Sequence, residues 1–267
     1  MSMHHTTGLA ARFSASALTY DRSAVLQKTV ARRVAELAAE LPAPRRTLEI
    51  GCGTGFLTEK LLEVLPEVRI HALDISEGMI RKAQLRLGPV ERVTWIVADA
   101  RRFEGDGAYE LVASSSCLHW IFPIEDAFRA LGPRLAPGGY LVFGLMLDGT
   151  LAELQASRRR VAAGKPGRAA LPATEDVLTA LGRTGFRLLR SEQNAWQVEY
   201  PSVQNFLRAV HDQGVTGGNV SRENSSVLNR GELKRLAVDY VACNRSAGGG
   251  VMATYHVLYA VAQKGAS

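Results

Sequence analysis

Leu48-Glu49-Ile50-Gly51-Cys52-Gly53-Thr54-Gly55 is the stretch whose reading decides the fold. A short apolar run ends, and three glycines succeed it at alternate positions. Small residues let the backbone turn sharply and approach a ligand closely. Phe56 to Leu65 reads as a helix, so the loop sits at a helix N-terminus. By itself such a loop also fits a plain tight strand–helix turn. Its meaning comes from residues at fixed distances downstream.

Upstream of the loop, Thr47 to Ile50 is a first strand, preceded by a helix over Ala24 to Leu41 that Pro42 and Pro44 close. The helix carries Val25, Leu26, Val30, Val34, Leu37 and Leu41 near helical spacing. Before it, Phe13 to Tyr20 reads as a short mixed segment. Downstream, strands are expected at Arg69 to Leu73, Val93 to Ala98, Leu111 to Ser114 and Tyr140 to Met146. Helices are expected at Ser76 to Leu87, with Ser76 as N-cap, and at Ile124 to Leu135, stopped by Pro137-Gly138-Gly139. The nearly all-apolar Tyr140 to Met146 predicts a strand buried on both faces. Strands alternating with helices in this way mean a doubly wound, mainly parallel α/β sheet.

After Leu147 the rhythm changes. Gly149 to Val161 reads as a helix ending in Arg158-Arg159-Arg160, Ala163 to Leu171 as a loop, and Thr174 to Leu181 as a helix capped by Thr174. Phe186 to Tyr200 and Thr254 to Ala262 read as strands. Between them, Pro201 to Arg245 reads as helices with a loop near Gln213 to Gly218. The expected organisation is an N-terminal cap segment and first helix (1–45), a ligand-binding core (46–147), an inserted cap segment (148–173), core again (174–200), an inserted helical cap (201–250), and a final core strand and tail (251–267).

Composition narrows the classes. The chain has 267 residues, 46% hydrophobic and 22% charged, enough for one large core or a core plus a cap. No apolar run approaches the roughly 20 residues that span a bilayer, and the first residues lack the pattern of a secretory signal. Three widely spaced cysteines, Cys52, Cys117 and Cys243, suggest a reducing compartment without a disulfide framework or zinc spacing. The expectations are a cytoplasmic monomer with no metal, no membrane partner and no nucleic-acid partner. The net charge of +6 permits an acidic partner.

Acidic residues close successive strands. Asp74 follows the second strand, where a carboxylate beside the glycine loop would accept both hydroxyls of a ribose. Asp99, ending strand three, is placed to receive an adenine amino group. Ile75 and Met79 are placed to sandwich the ring. Glu49 lies just inside the loop, where it would repel a pyrophosphate and attract an ammonium group. The order Gly51-x-Gly53-x-Gly55 also departs from the Gly-x-Gly-x-x-Gly of dinucleotide sites.

These residues resemble the class I S-adenosylmethionine-dependent methyltransferases. The matching motifs are Leu48 to Gly55, Leu73-Asp74-Ile75-Ser76-x-x-Met79 and Ala98-Asp99-Ala100. The resemblance implies a seven-stranded Rossmann-like sheet whose last pair, Phe186–Tyr200 and Thr254–Ala262, is an antiparallel hairpin, with a small helical cap. It also implies S-adenosylmethionine contacts from Glu49, Gly51, Cys52, Gly53, Gly55, Asp74, Ile75, Met79, Asp99, Ala100 and Ser115.

Shorter segments resemble the malonyl-acyl-carrier-protein O-methyltransferases of biotin synthesis. They are Phe13-x6-Tyr20-Asp21 with Gln27, then Leu118-His119-Trp120, Gly149-Thr150-Leu151-x-Glu153-Leu154, Leu228-Asn229-Arg230-x-Glu232-Leu233 and Thr254-Tyr255-His256. Ser115 and His119 depart from the Asn and Gln common in that family. The resemblance implies methyl transfer to the free carboxylate of a malonyl thioester on acyl carrier protein or coenzyme A. Arg168, Tyr20 and His119 are the candidates for holding the substrate. Alternatives are methylation of a small carboxylate such as trans-aconitate or of another small molecule, and a non-catalytic S-adenosylmethionine-binding protein.

Overall fold

Nine α-helices and seven strands are built by the residues that the computed structural model describes, 3–105, 109–165, 171–212 and 228–265. Two helices come first, α1 (Met3–Ser23) and α2 (Val25–Ala39). The core is then laid down as β1 (Arg46–Ile50), α3 (Phe56–Val64), β2 (Arg69–Asp74), α4 (Glu77–Leu87), β3 (Val93–Val97), β4 (Tyr109–Ser115), α5 (Ile124–Leu131) and β5 (Leu135–Met146). Then come α6 (Ala152–Val161), α7 (Thr174–Arg183), β6 (Phe186–Tyr200), α8 (Val203–Asp212), α9 (Arg230–Cys243) and β7 (Val251–Lys264).

The strands form one sheet in the order β3-β2-β1-β4-β5-β7-β6. The first five are parallel, and β7 enters antiparallel between β5 and β6. The expected doubly wound sheet and its terminal antiparallel pair are therefore present. Strand order reverses between β1 and β4, so a crevice opens at the carboxyl ends of those strands. The glycine loop lies there. Leu141 to Met146 of β5 are all buried, as their unbroken apolar run requires. Gly144 lets α2 close on the sheet: a Cβ there would lie 2.6 Å from Val30 Cγ1.

Three local expectations are corrected. Phe13–Tyr20 belongs to a helix of 21 residues, α1. Its alanines favour helix, but its stabilising partners lie far away in sequence. At Gly78 of α4 an added Cβ would sit 2.9 Å from Ser14 Cα, so the two backbones approach closely. The helix before β5 ends at Leu131, and β5 begins at Leu135 instead of Tyr140. Leu135 pairs with Tyr109, and the register then shifts so that Leu111 faces Tyr140. Pro137-Gly138-Gly139 thus makes an irregularity inside the strand, with Gly138 at φ +74°, and is not the helix stop. Finally, the N-cap of α7 is Ala173, not Thr174. The Asp176 carboxylate takes the Ala173 N–H at 3.3 Å, so no hydroxyl is needed at the cap. The Ser76 cap of α4 is as expected, its hydroxyl accepting the Met79 N–H at 3.2 Å.

Candidate active site

The glycine loop is pinned to the end of β2. The N–H groups of Gly51 and Cys52 both donate to the Leu73 carbonyl, at 2.8 and 3.0 Å. The Asp74 carboxylate accepts the Gly53 N–H at 2.9 Å and the Ser76 N–H at 2.8 Å. Burial pushes the Asp74 carboxyl up to about 6, against the pull of those backbone donors. The Ile75 backbone also acts as a donor to this carboxylate, which leaves it part of its accepting capacity for a ligand.

Glu49 lies one residue before the end of β1 and is only 1% exposed. Its Oε2 accepts the Thr58 hydroxyl at 2.6 Å, while Oε1 has no partner. Burial pushes its carboxyl up to about 8. The Thr58 bond opposes the shift and the Asp74 charge adds to it. Two more buried oxygens without partners, Gln27 Oε1 and Ser116 Oγ, belong to residues of the same crevice wall. Tyr20, Glu49, Gly51, Cys52, Gly53, Thr54, Phe56 and Ser115 complete most of that wall, around an empty volume of about 310 Å³ that includes its open mouth.

Helix α1 roofs the crevice. Ser14 Oγ lies 2.8 Å from Ser76 Oγ after β2, and Asp21 accepts the Thr54 hydroxyl after β1 at 2.7 Å. Phe13 meets Trp120, in the turn after β4, edge to face at 5.5 Å. One helix thereby touches three loops at the carboxyl edge of the sheet. Burial raises the Tyr20 hydroxyl well above its ordinary range, with the charges of Asp74, Cys117 and Asp21 adding to it. That phenol stays a hydrogen-bond donor throughout the neutral range.

The structure brings Tyr20, Glu49, Gly51, Cys52, Gly53 and Ser115 to one crevice, with Asp74 against it through Gly53. Gly55 is the N-cap of α3 at φ +87°. Ile75 is half-buried beside Asp74, and Met79, in the first turn of α4, is 2% exposed. Asp99 and Ala100 come after β3. Asp99 is already gripped by Arg101, Nε on Oδ1 at 3.0 Å and a terminal nitrogen on Oδ2 at 2.6 Å. Burial pushes its carboxyl upward, but the Arg101 bonds and charge bring it below its ordinary value. His119 stands in the turn Leu118–Trp120, its Nδ1 3.4 Å from the Met146 N–H. Arg168 lies outside the described residues, as do most of the Ala163–Leu171 loop and the Gln213–Gly218 loop.

The sequence marked neither Ser116 nor Thr54 with a role, and Asp21 and Gln27 entered only as part of a resemblance. Ser116 sits at φ +55°, a strained conformation for a residue with a side chain. No local pattern marks it, because the strain comes from the packing of the turn after β4.

The wall suits a cation better than a phosphate. A buried carboxyl and a buried amide of the crevice wall both have unpartnered oxygens, which call for a hydrogen-bond donor and not for a phosphate, itself an acceptor. A donor group bearing positive charge would supply what those oxygens lack. Among the described residues there is no cluster of metal-ligating side chains, and no helix is long and apolar enough to cross a membrane.

Comparison with known proteins bears on the same site. Residues 48–141 match a methyltransferase domain family, which spans the core from β1 into β5. The malonyl-acyl-carrier-protein O-methyltransferase of Geobacter sulfurreducens is 34% identical over 94% of this chain and 96% of that one. The enzyme of the same name from Bacillus cereus is 30% identical over 96% and 97%. A solved structure from Bacillus halodurans C-125, assigned as a methyltransferase, superposes with a TM-score of 0.63 at 13% identity, covering 88% of this chain and 98% of that one.

Proposed function

The chain belongs to the malonyl-acyl-carrier-protein O-methyltransferase family, and from that premise we propose that it methylates the free carboxylate of a malonyl thioester carried on acyl carrier protein. It is an S-adenosylmethionine-dependent O-methyltransferase. The observation that carries the substrate reading is the extent of the likeness. At 34% identity it covers 94% of the chain and so runs through the cap helices as well as the cofactor core.

The cofactor supplies a methyl group on a positively charged sulfur. The acceptor carboxylate is already ionised at neutral pH, since free carboxyls titrate near 4, so no general base is required. Opposite charges neutralise each other on the way to the transition state. A crevice roofed by α1 favours this by keeping out water that would stabilise the separated ions. The remaining gain comes from holding oxygen, methyl carbon and sulfur in line.

In this reading Tyr20, kept protonated under the roof, donates to the substrate carboxylate. His119 offers a second donor: with Nδ1 accepting from Met146, the proton sits on Nε2. Arg168 is the cation that forks onto the carboxylate. Asp74 accepts from the ribose, Asp99 with Ala100 meets the adenine edge, and Ile75 and Met79 flank the ring.

Incubation with labelled cofactor and, separately, malonyl-carrier, malonyl-coenzyme A or trans-aconitate tests the substrate. Methyl ester is expected on the malonyl thioesters. Ester on trans-aconitate alone overturns the malonyl reading and leaves the methyltransferase standing. In the same assay Arg168→Ala is expected to lower turnover with unchanged cofactor affinity; equal loss of both removes Arg168 from the substrate site. Asp74→Ala is expected to weaken S-adenosylhomocysteine binding at least tenfold, since it removes charge-assisted acceptors and frees the Gly53 N–H. Unchanged affinity in titration calorimetry ends the ribose role.

A further inference from the structure

Three buried oxygens of the crevice wall, on Gln27, Glu49 and Ser116, have no hydrogen-bond partner. Glu49 comes from the sheet and already has a reading. Gln27 comes from α2 and has none. It is the third residue of that helix and 9% exposed. Its face of α2 is otherwise apolar, with Leu26, Val30, Ala31 and Val34 buried alongside it. A leucine or methionine would fill that place without leaving a polar atom unmatched, and removing an unsatisfied amide from an apolar wall favours folding. Among the described residues no hydrogen bond uses the Gln27 side chain, so the fold gives no reason for an amide there.

We propose that Gln27 is a direct ligand of the amino-acid end of S-adenosylmethionine, accepting from its ammonium group together with Glu49. Glu49 supplies the charge, and Gln27 supplies a neutral acceptor from α2. A group that lies against both unpartnered oxygens has to donate hydrogen bonds. Once an adjacent cation has ionised it, Glu49 repels the substrate carboxylate from that position. The ammonium carries three donors and a positive charge, and so satisfies both residues at once. Cofactor recognition then extends beyond the sheet into α2, the next helix after the roof. This rests on the cofactor and not on the choice of methyl acceptor, so it stands whether or not malonyl-carrier is the substrate.

Two ligands separate a binding role from a packing role. S-Adenosylhomocysteine carries the amino-acid end; 5′-methylthioadenosine has the same nucleoside and thioether without it. Gln27→Met keeps length and apolar packing but removes the acceptor. By titration calorimetry it is expected to weaken S-adenosylhomocysteine roughly 10- to 100-fold, the range of one hydrogen bond to a charged group, and to leave 5′-methylthioadenosine within about twofold. Equal weakening of both ligands, or of neither, overturns the assignment. If Gln27→Met folds poorly, the wild-type protein decides. With side-chain amides labelled with nitrogen-15, the Gln27 resonance is expected to move with S-adenosylhomocysteine and not with 5′-methylthioadenosine. A resonance that ignores both, or answers both alike, overturns it equally.

Discussion

The cofactor-free protein is expected to lose thermal stability as pH rises from about 5 to 8, and saturating S-adenosylhomocysteine is expected to remove most of that loss. Two buried carboxyls set the slope. Glu49 is pushed up to about 8 and Asp74 to about 6, in both cases chiefly by burial. In the unfolded chain the same groups titrate near 4. The folded state therefore binds their protons more tightly than the unfolded state does. That contribution is whole below about pH 4. It erodes above it and is gone by about 6 for Asp74 and about 8 for Glu49. For Glu49 the loss is on the order of a few kcal/mol, which for a domain of this size moves the melting midpoint by roughly 10 °C.

An ammonium group on Oε1 reverses the preference, since an opposite charge favours the ionised carboxyl. Cofactor binding at pH 7 then releases close to one proton from Glu49, which calorimetry reads as a dependence on buffer ionisation enthalpy. Glu49→Gln keeps the size of the side chain but cannot ionise. It is expected to flatten most of the pH slope, abolish the proton release and weaken S-adenosylhomocysteine by roughly 100-fold. A melting midpoint that ignores pH, or binding that moves no proton, sinks this account of the loop.

The parts legible in the sequence are those governed by local rules. Gly51, Gly53 and Gly55 all stand at positive φ, so their spacing was a direct record of backbone shape. Ser76 caps α4 through its own neighbour Met79. The unbroken apolar run of β5 reads as a central strand because burial on both faces leaves no polar alternation to find. Features that depend on distant partners were not legible. Helix α1 is held by Ser76, Thr54 and Trp120, none of which lies near it in sequence. The start of β5 is set by pairing with Tyr109. Asp99 reads as an acid at a strand end, yet its carboxylate is matched to Arg101. Gln27 is one polar residue on an apolar helix face, and only the placement of that face against the glycine loop gives it meaning.

Gly51→Ala should be the most damaging single-methyl change in the glycine loop. An alanine Cβ there would sit 2.2 Å from Cys117 Sγ and 2.4 Å from Cys117 Cβ, with φ at +70°. Neither wall can retreat freely. Gly51 is fixed to the Leu73 carbonyl at 2.8 Å, and the turn after β4 is fixed by Ser116 N–H on the Gly144 carbonyl at 2.7 Å. Left-handed strain of about 1–2 kcal/mol adds to an overpacking cost of about 1–3 kcal/mol. Gly53→Ala bears only the strain, since nothing lies within 4 Å of its Cβ position. Gly55→Ala falls between, at 3.2 Å from Ala83 Cβ and Leu87 Cδ1. Denaturant unfolding should therefore rank the variants Gly51, Gly55, Gly53 from most to least destabilised, with S-adenosylhomocysteine binding lost in the first. The partner residue makes the cause separable. Cys117→Ala retains the Cβ at 2.4 Å and does not rescue Gly51→Ala, whereas Cys117→Gly removes both offending atoms and leaves only Cα, at 3.8 Å. Partial recovery in the Gly51→Ala/Cys117→Gly pair, absent in the pair with Cys117→Ala, identifies the clash. If Gly51→Ala unfolds no more easily than Gly53→Ala, the close seat of the β4 turn on the glycine loop is wrong, and the shape of the crevice wall that Ser115 and Ser116 complete is wrong with it.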